Sequence, residues 1–164
     1  VGAIMPSSKF LADKMVSKVD FRSAKIIVEL GPGTGVVTKE MLSRMRPDAR
    51  LIAIETNDAF CDMLEKLRDE RLVVVRLSAE RLPEILDGGY ADAIVSGIPL
   101  ASLGKRVSGE ILDAVKGSLA PHGVFVQFQY SKLSRRMIED RFSSVSMDFV
   151  PINVPPAFVY TARH

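Results

Sequence analysis

The strongest constraint on this chain is an alternation. Five short apolar runs, Lys25 to Leu30, Leu51 to Ile54, Leu72 to Leu77, Ala91 to Val95 and Val124 to Phe128, are separated by segments of helical periodicity. The runs are rich in Val, Ile and Leu and do not alternate strictly with polar residues, as expected of strands covered on both faces. Between them, Val37, Met41, Leu42 and Met45 share one face of a helix predicted over Val36 to Met45. Phe60, Met63, Leu64 and Leu67 do the same over Asp58 to Leu67, with Asn57 or Asp58 as N-cap. A third helix over Ser108 to Leu119 presents Ile111, Leu112 and Val115 and closes at the Pro121-His122-Gly123 break. This order predicts an α/β fold, a parallel sheet with helices on both faces.

Two parts lie outside the alternation. Pro6-Ser7-Ser8 reads as a helix start followed by Phe10, Leu11, Met15 and Val19, which makes residues 1–22 an N-terminal helical segment. Ser144 to Val150 and Phe158 to Ala162 read as strands joined by the Pro-rich segment 151–156, too short for a crossover helix. These two strands are therefore expected to pair antiparallel. Seven strands and their helices account for residues 1–164 as a single domain, in keeping with roughly 100–200 residues per domain.

Composition removes several classes of function. At 47% hydrophobic and 26% charged the chain is ordinary for a globular protein. A lone Cys61 excludes an intramolecular disulfide, and His122 and His164 are too few and too far apart in sequence for a zinc motif. We expect no metal and a reducing, cytoplasmic compartment. The longest apolar runs are only about six residues, against roughly 20 for a spanning helix, so no membrane span is expected. A net charge of +2 names no partner.

The chemistry concentrates in Val28-Glu29-Leu30-Gly31-Pro32-Gly33-Thr34-Gly35, which follows the first strand and opens the first helix of the alternation. Glycines at alternate positions let the backbone turn tightly and approach a ligand closely. Glu55 ends the second strand, where a carboxylate can accept both hydroxyls of a ribose. Glu29 stands at the end of the first strand, where an anion would oppose a diphosphate but suit an ammonium and a sulfonium. Cys61 on its helix, Tyr160 in the last strand and His122 in its turn read as packing and loop residues. No dedicated general base is evident, and desolvation alone favours a neutral amine over an ammonium.

The E-x-G-x-G-x-G loop, the acidic end of the second strand and the final antiparallel hairpin resemble the class I S-adenosylmethionine-dependent methyltransferases. The resemblance implies a Rossmann-like, seven-stranded, mostly parallel sheet with an antiparallel last strand. It implies S-adenosylmethionine as cofactor, held by Ser8, Glu29, Gly31, Gly33, Thr34, Gly35, Glu55, Thr56, Ala79, Glu80 and Ser96. One departure is Leu77-Ser78-Ala79-Glu80, where the class commonly has G-D-A. The residue reading the adenine amine is then Glu80 or Ser78, or is missing.

Within the class, two groups are similar to this chain. Ser8-Lys9-Phe10-Leu11-Ala12-Asp13 is similar to the Q-N-F-L-x-D element of ribosomal RNA adenine dimethyltransferases, with Ser8 in place of the glutamine. After the fourth strand those enzymes carry N-I/L-P-Y, and here Ser96-Gly97-Ile98-Pro99-Leu100 keeps only Ile98 and Pro99. The exocyclic amine of adenine, its lone pair delocalised, needs a polarising side chain and an aromatic platform, which Gly97 and Leu100 do not offer. Bacterial phospholipid N-methyltransferases are more similar: residues 2–8 resemble their G-A-x-x-P-S-S, 29–35 their E-L-G-P-G-T-G, Ser96-Gly97-Ile98-Pro99 their S-G-L-P, Gln127-Phe128-Gln129-Tyr130 their Q-F-T-Y and 153–157 their N-x-P-P-A. This resemblance implies methyl transfer to the amine of phosphatidylethanolamine or a related aminolipid, with Ser96, Gly97, Ile98, Pro99 and Tyr130 at the acceptor site. The alternatives are an RNA adenine N6-methyltransferase relative and a non-catalytic S-adenosylmethionine-binding module. Lys9, Lys14 and Lys18, with Lys132, Arg135, Arg136 and Arg141, suit an anionic membrane, and Phe10, Leu11 and Met15 are candidates for its interface. The implied location is cytoplasmic, peripheral at the inner membrane face; RNA phosphates would attract the same charges.

Overall fold

The computed structural model describes residues 9–164. Its seven strands are β1 (Ile26–Leu30), β2 (Arg50–Ile54), β3 (Leu72–Val75), β4 (Ala91–Ser96), β5 (Leu119–Gln129), β6 (Ser144–Val150) and β7 (Ala157–Arg163). They form one sheet in the order β3-β2-β1-β4-β5-β7-β6. β1 to β5 pair in parallel, and β7 lies antiparallel between β5 and β6, as the short proline-rich connection requires. The helices are α1 (Lys9–Val16), α2 (Val36–Arg44), α3 (Asp58–Glu65), α4 (Leu82–Ile85), α5 (Lys105–Ser118) and α6 (Arg135–Glu139).

The central strands are buried from both sides. On one face Leu11, Met15 and Val16 of α1 and Met41 and Leu42 of α2 pack with Ile27, Leu51, Val95 and Val126. On the other, Leu112 and Val115 of α5 and Ile138 of α6 pack with Val28, Ile54, Ile94, Phe125 and Tyr160. Each such side chain contributes about 1.5–3 kcal/mol when taken fully from water. Asn57 caps α3, its Oδ1 accepting the Phe60 amide at 3.1 Å.

Several boundaries depart from the sequence expectation. β3 ends at Val75, because residues beyond it turn into a single 3-10 turn at Ala79–Arg81. α5 begins at Lys105, straight after Gly104 with φ +81°, and β5 begins at Leu119. The Pro121-His122-Gly123 break is therefore part of a strand. It falls where the β4–β5 ladder shifts register, between Ala91 and Ala93, which accommodates a proline that has no N–H to give. His122 is held there at 2.8 Å from Asp92, whose other oxygen accepts the Lys25 and Ile26 amides. That cluster lies at the N-terminal end of the sheet, opposite the glycine loop. The short helices α4 and α6 carry too few residues to show a period in sequence.

Among the described residues the N-terminal helix ends sooner than expected, at Val16, and is differently used. Leu11 and Met15 are buried in the core and not at a surface, because α1 lies against α2 and the sheet; Phe10 is exposed. Lys18 and Lys14 both pair with Asp148, and Lys18, hydrogen-bonded to it, with Lys14 holds that carboxyl below the usual range. The Pro6-Ser7-Ser8 start, and Ser8 with it, lie outside the described residues. No helix among the described residues is long and apolar enough to cross a membrane.

Candidate active site

The loops leaving β1, β2 and β4 interlock at the C-terminal edge of the sheet. Gly31 donates to the Ile54 carbonyl at 3.0 Å, Gly97 to Leu30 at 2.9 Å and Glu55 to Val75 at 3.0 Å. Gly31 has φ +65°, and a Cβ there would stand 2.8 Å from Ile98 Cγ1; a Cβ at Gly97 would meet the Gly31 carbonyl at 3.2 Å. The two loops therefore need glycine because of each other. Gly33, at φ +56°, has nothing within 4 Å of where a Cβ would be, so its backbone faces open space.

Two hollows meet at Gly31. The first is bounded by Glu29, Gly33, Thr34, Val95, Gly97 and Phe128. The second, of about 250 Å³, is bounded by Glu55, Thr56, Leu77, Ser78, Ala79, Glu80, Ile98 and Leu103. Each hollow holds one of the two carboxylates. Glu55 is clamped by backbone: Oε1 accepts from Gly33 at 3.1 Å, and Oε2 from Thr56 at 3.0 Å and Asn57 at 3.1 Å. Cys61, buried on α3, donates from Sγ to the Glu55 carbonyl at 3.4 Å. Glu29 is 2% exposed and accepts from Thr38 Oγ1 at 2.5 Å. Burial pushes its carboxyl up to about 8, against the Thr38 hydrogen bond and with a smaller upward push from Glu55.

The remaining expected residues divide. Gly35, at φ +89°, opens α2 behind the loop, where a Cβ would stand 3.1 Å from Leu64. Ser96 is fully buried and accepts the Ile98 amide at 3.2 Å, shaping the turn after β4. Neither Ser96 nor Pro99 borders the two hollows. Tyr130 also borders neither hollow; it stands edge-on at 4.8 Å to Phe128, which lines the first. Burial raises its phenol above the ordinary value, against a hydrogen bond from Asn153.

Three relationships were not read from sequence. Gln127 and Gln129 both donate Nε2 to the Ile98 carbonyl, at 2.8 and 3.1 Å, so the post-β4 loop is tied to β5 from two adjacent positions on one strand face. The alternation in Gln127-Phe128-Gln129 carries that signal. Asn153, buried and donating to the Pro155 carbonyl at 2.6 Å, joins the proline-rich turn to Tyr130. Thr38, in the first turn of α2, reaches Glu29.

Comparison with known proteins gives a family and a set of relatives. The ribosomal RNA adenine dimethylase family profile matches residues 6–79. The ornithine lipid N-methyltransferase of Singulisphaera acidiphila is 34% identical over 173 residues, covering 99% of this chain and 88% of that protein. Ribosomal RNA small subunit methyltransferase A of a Synechococcus species is 28% identical over 112 residues, covering 65% of this chain and 37% of that protein. The crystal structure of precorrin-6Y C5,15-methyltransferase from Geobacter metallireducens shares the fold, with a TM-score of 0.76 at 22% identity over 99% of this chain and 91% of that one.

Proposed function

Because the chain belongs to the class I S-adenosylmethionine-dependent methyltransferases, in the branch that includes an ornithine lipid N-methyltransferase and the ribosomal RNA adenine dimethylases, we propose that it methylates the amine of an aminolipid. Phosphatidylethanolamine and ornithine lipid are two acceptors of that kind. S-adenosylmethionine, when bound, supplies a methyl group made electrophilic by its sulfonium.

The residues present suit that cofactor. Glu29 in the first hollow offers a carboxylate to a cationic amino-acid end, and Glu55 in the second offers oxygens already aimed by three amides to a ribose diol. The space beside Gly33 is where a Cβ would obstruct a ligand lying between them. Ile54, Leu77, Ala79, Ile98 and Leu103 offer an apolar slot for a flat base, with Ser78 and Glu80 at its polar edge.

The observation that carries the acceptor assignment is the post-β4 loop. Gly97 and Leu100 bring no polarising or stacking side chain, and the Ile98 carbonyl is already engaged by the Gln127 and Gln129 amides. An aliphatic amine needs neither aid once desolvation has favoured its neutral form. Gln127 and Gln129 hold the loop, and Tyr130, oriented by Phe128 and Asn153, presents a neutral phenol to a headgroup at the rim. The ribosomal RNA dimethylase profile ends at residue 79, before the loop and before β5, whereas the ornithine lipid enzyme is similar over 99% of the chain and the Synechococcus ribosomal RNA methyltransferase over 65%.

Membrane contact in this reading moves away from α1. Leu133, Phe149, Ile152 and Val154 are exposed on the loops at the C-terminal end of β5 and in and around the β6–β7 connection, beside the site. Apolar side chains on loop tips can enter an acyl boundary without a binding groove. Labelled S-adenosylmethionine with aminolipid vesicles or with ribosomal RNA tests the proposal. Label in the lipid extract is expected. Label confined to RNA would overturn it, and cofactor binding with no labelled acceptor would favour the non-catalytic module.

A further inference from the structure

The groove between the start of α5 and α6, about 610 Å³, is separate from the two hollows that hold Glu29 and Glu55. It continues from the post-β4 loop on the side away from the base slot: Leu100 borders it, while Ile98 borders the slot. Two cations line it, Lys105 in the first turn of α5 and Arg136 of α6, and neither has an ion pair among the described residues. Neighbouring arginines do: Arg106 with Glu110, Arg135 with Glu139 and Arg141 with Asp113. One carboxylate, Asp140, also lines the groove.

Two further features point to an anion. α5 is a 14-residue helix whose first turn is uncapped by any side chain, because Gly104 precedes it. Its free amides and partial positive charge face negative groups. Ser134 is 2% exposed and borders the groove, yet its hydroxyl makes no capping bond to α6 and no other side-chain hydrogen bond among the described residues. The residue is nearly buried, and its hydroxyl, without a protein partner among the described residues, borders the same groove as the two cations, so the three form a donor set for an oxygen ligand. At the mouth, Leu133 is 80% exposed, apolar surface beside the charge.

We propose that this groove seats the oxyanion of the acceptor lipid, phosphate or carboxylate, through Lys105, Arg136 and Ser134, with Leu133 against its acyl chain. The inference rests on the aminolipid reading above. An aminolipid headgroup carries an amine and an oxyanion a few bonds apart, so an anion seat beside the post-β4 loop fixes which end of the headgroup meets the methyl group. Recognition by oxyanion would allow one site to accept either phosphate-linked or carboxylate-bearing amines.

Monomeric dihexanoylphosphatidylethanolamine is the probe, with kinetics and amide chemical shifts read on the same protein. The Lys105→Glu/Arg136→Glu double variant is expected to raise KM for this lipid roughly 10- to 100-fold, the size of about one charge-assisted hydrogen bond because both cations are exposed and screened by solvent, the loss falling on KM more than on kcat. Ser134→Ala is expected to raise it by a smaller factor. Cofactor affinity, which reports folding, stays within about twofold in all variants, an order-of-magnitude bound for sites without shared partners. An unchanged KM in the double variant would overturn the seat. Dihexanoylphosphatidic acid, which has the phosphate and no amine, separates this inference from the proposed function. Shifts at Gly104, Lys105 and Ser134 with that lipid support the seat even if no aminolipid is methylated, and their absence overturns it. Inorganic phosphate binding as tightly as the lipid would overturn the lipid assignment in favour of a free phosphate.

Discussion

The Gly33 amide donates to Glu55 Oε1 across 3.1 Å, linking the glycine loop of β1 to the acidic end of β2. With Thr56 and Asn57 on Oε2, the carboxylate is fixed before any ligand arrives and spends no side-chain entropy on binding. Glu55→Ala removes the acceptor for a ribose diol and leaves three amides without their partner. Cofactor affinity by calorimetry is expected to fall about 100-fold or more, from two charge-assisted hydrogen bonds at about 1.5–3 kcal/mol each. An affinity equal to wild type would remove Glu55 from the ribose role.

Glu29 makes the protein pH-sensitive in two opposite ways. Its folded value of about 8 lies above its ordinary 4.5, so between those values the native state holds more protons than the unfolded chain. The stability it contributes is fully present below pH 4.5 and is lost as pH rises through 8. Glu29→Gln, always neutral, should unfold at a higher temperature than wild type at pH 9, with the difference shrinking toward pH 5. A cation in the first hollow prefers the carboxylate, so the wild-type advantage in cofactor affinity over Glu29→Gln should grow as pH rises to 8. Taking the difference between the two proteins cancels the ligand's own titration. A flat difference would mean that Glu29 meets no cation.

Two glycines of the same loop should behave differently when replaced by alanine. Both sit at positive φ, which costs an L residue about 1–2 kcal/mol. Gly31→Ala adds a collision with Ile98 and is expected to destabilise the fold further. Gly33→Ala meets no protein atom and should fold with only the backbone cost, while lowering cofactor affinity at least about tenfold by filling the ligand's space. Thermal melts and calorimetry on the pair decide this; normal binding by Gly33→Ala would contradict the placement of the cofactor.

Tyr130 remains protonated over the working range, since burial holds its phenol above 10.0. Tyr130→Phe is expected to lower kcat/KM for the lipid roughly tenfold, the worth of about one hydrogen bond, without altering cofactor affinity. Asn153→Ala should reproduce part of that loss by freeing the phenol. Neither effect should vary between pH 7 and 9 on Tyr130's account. A Tyr130→Phe enzyme with unchanged kinetics would assign the residue to packing on Phe128.

Ile152→Asp and Val154→Asp should each weaken binding to anionic vesicles roughly tenfold, as withdrawing one aliphatic side chain from an apolar phase does. Phe10→Asp should have a smaller effect, because α1 buries its other apolar residues and its lysines are held by Asp148. Co-sedimentation gives the comparison. Loss of binding in Phe10→Asp alone would return the contact to α1.

The sheet was legible because its strands are covered on both faces and therefore written as apolar runs, and the antiparallel hairpin because six residues cannot hold a crossover. That Glu29, Glu55 and the glycines gather at one edge of the sheet was legible because each stands at the end of a strand or in the turn that follows one. Boundaries failed where tertiary contacts override local pattern: Pro121 enters β5 at a register shift, and Leu11 and Met15 look interfacial yet are core. Ser96 is named by its motif but works from underneath, through the Ile98 amide. The ties from Gln127 and Gln129 to Ile98 span about thirty residues and exist only once β5 lies beside β4. The α5–α6 groove likewise joins residues from segments that sequence reading treated as a loop and a charge cluster.

The central claim is that the acceptor is a lipid amine, and the most direct measurement is kcat/KM for aminolipid vesicles against a ribosomal RNA fragment, with the same enzyme, salt and labelled S-adenosylmethionine. The account predicts saturable label in the lipid, recovered as N-methylated headgroup by mass spectrometry, with RNA at background. Label in adenines of the RNA, with the lipid at background, would contradict it.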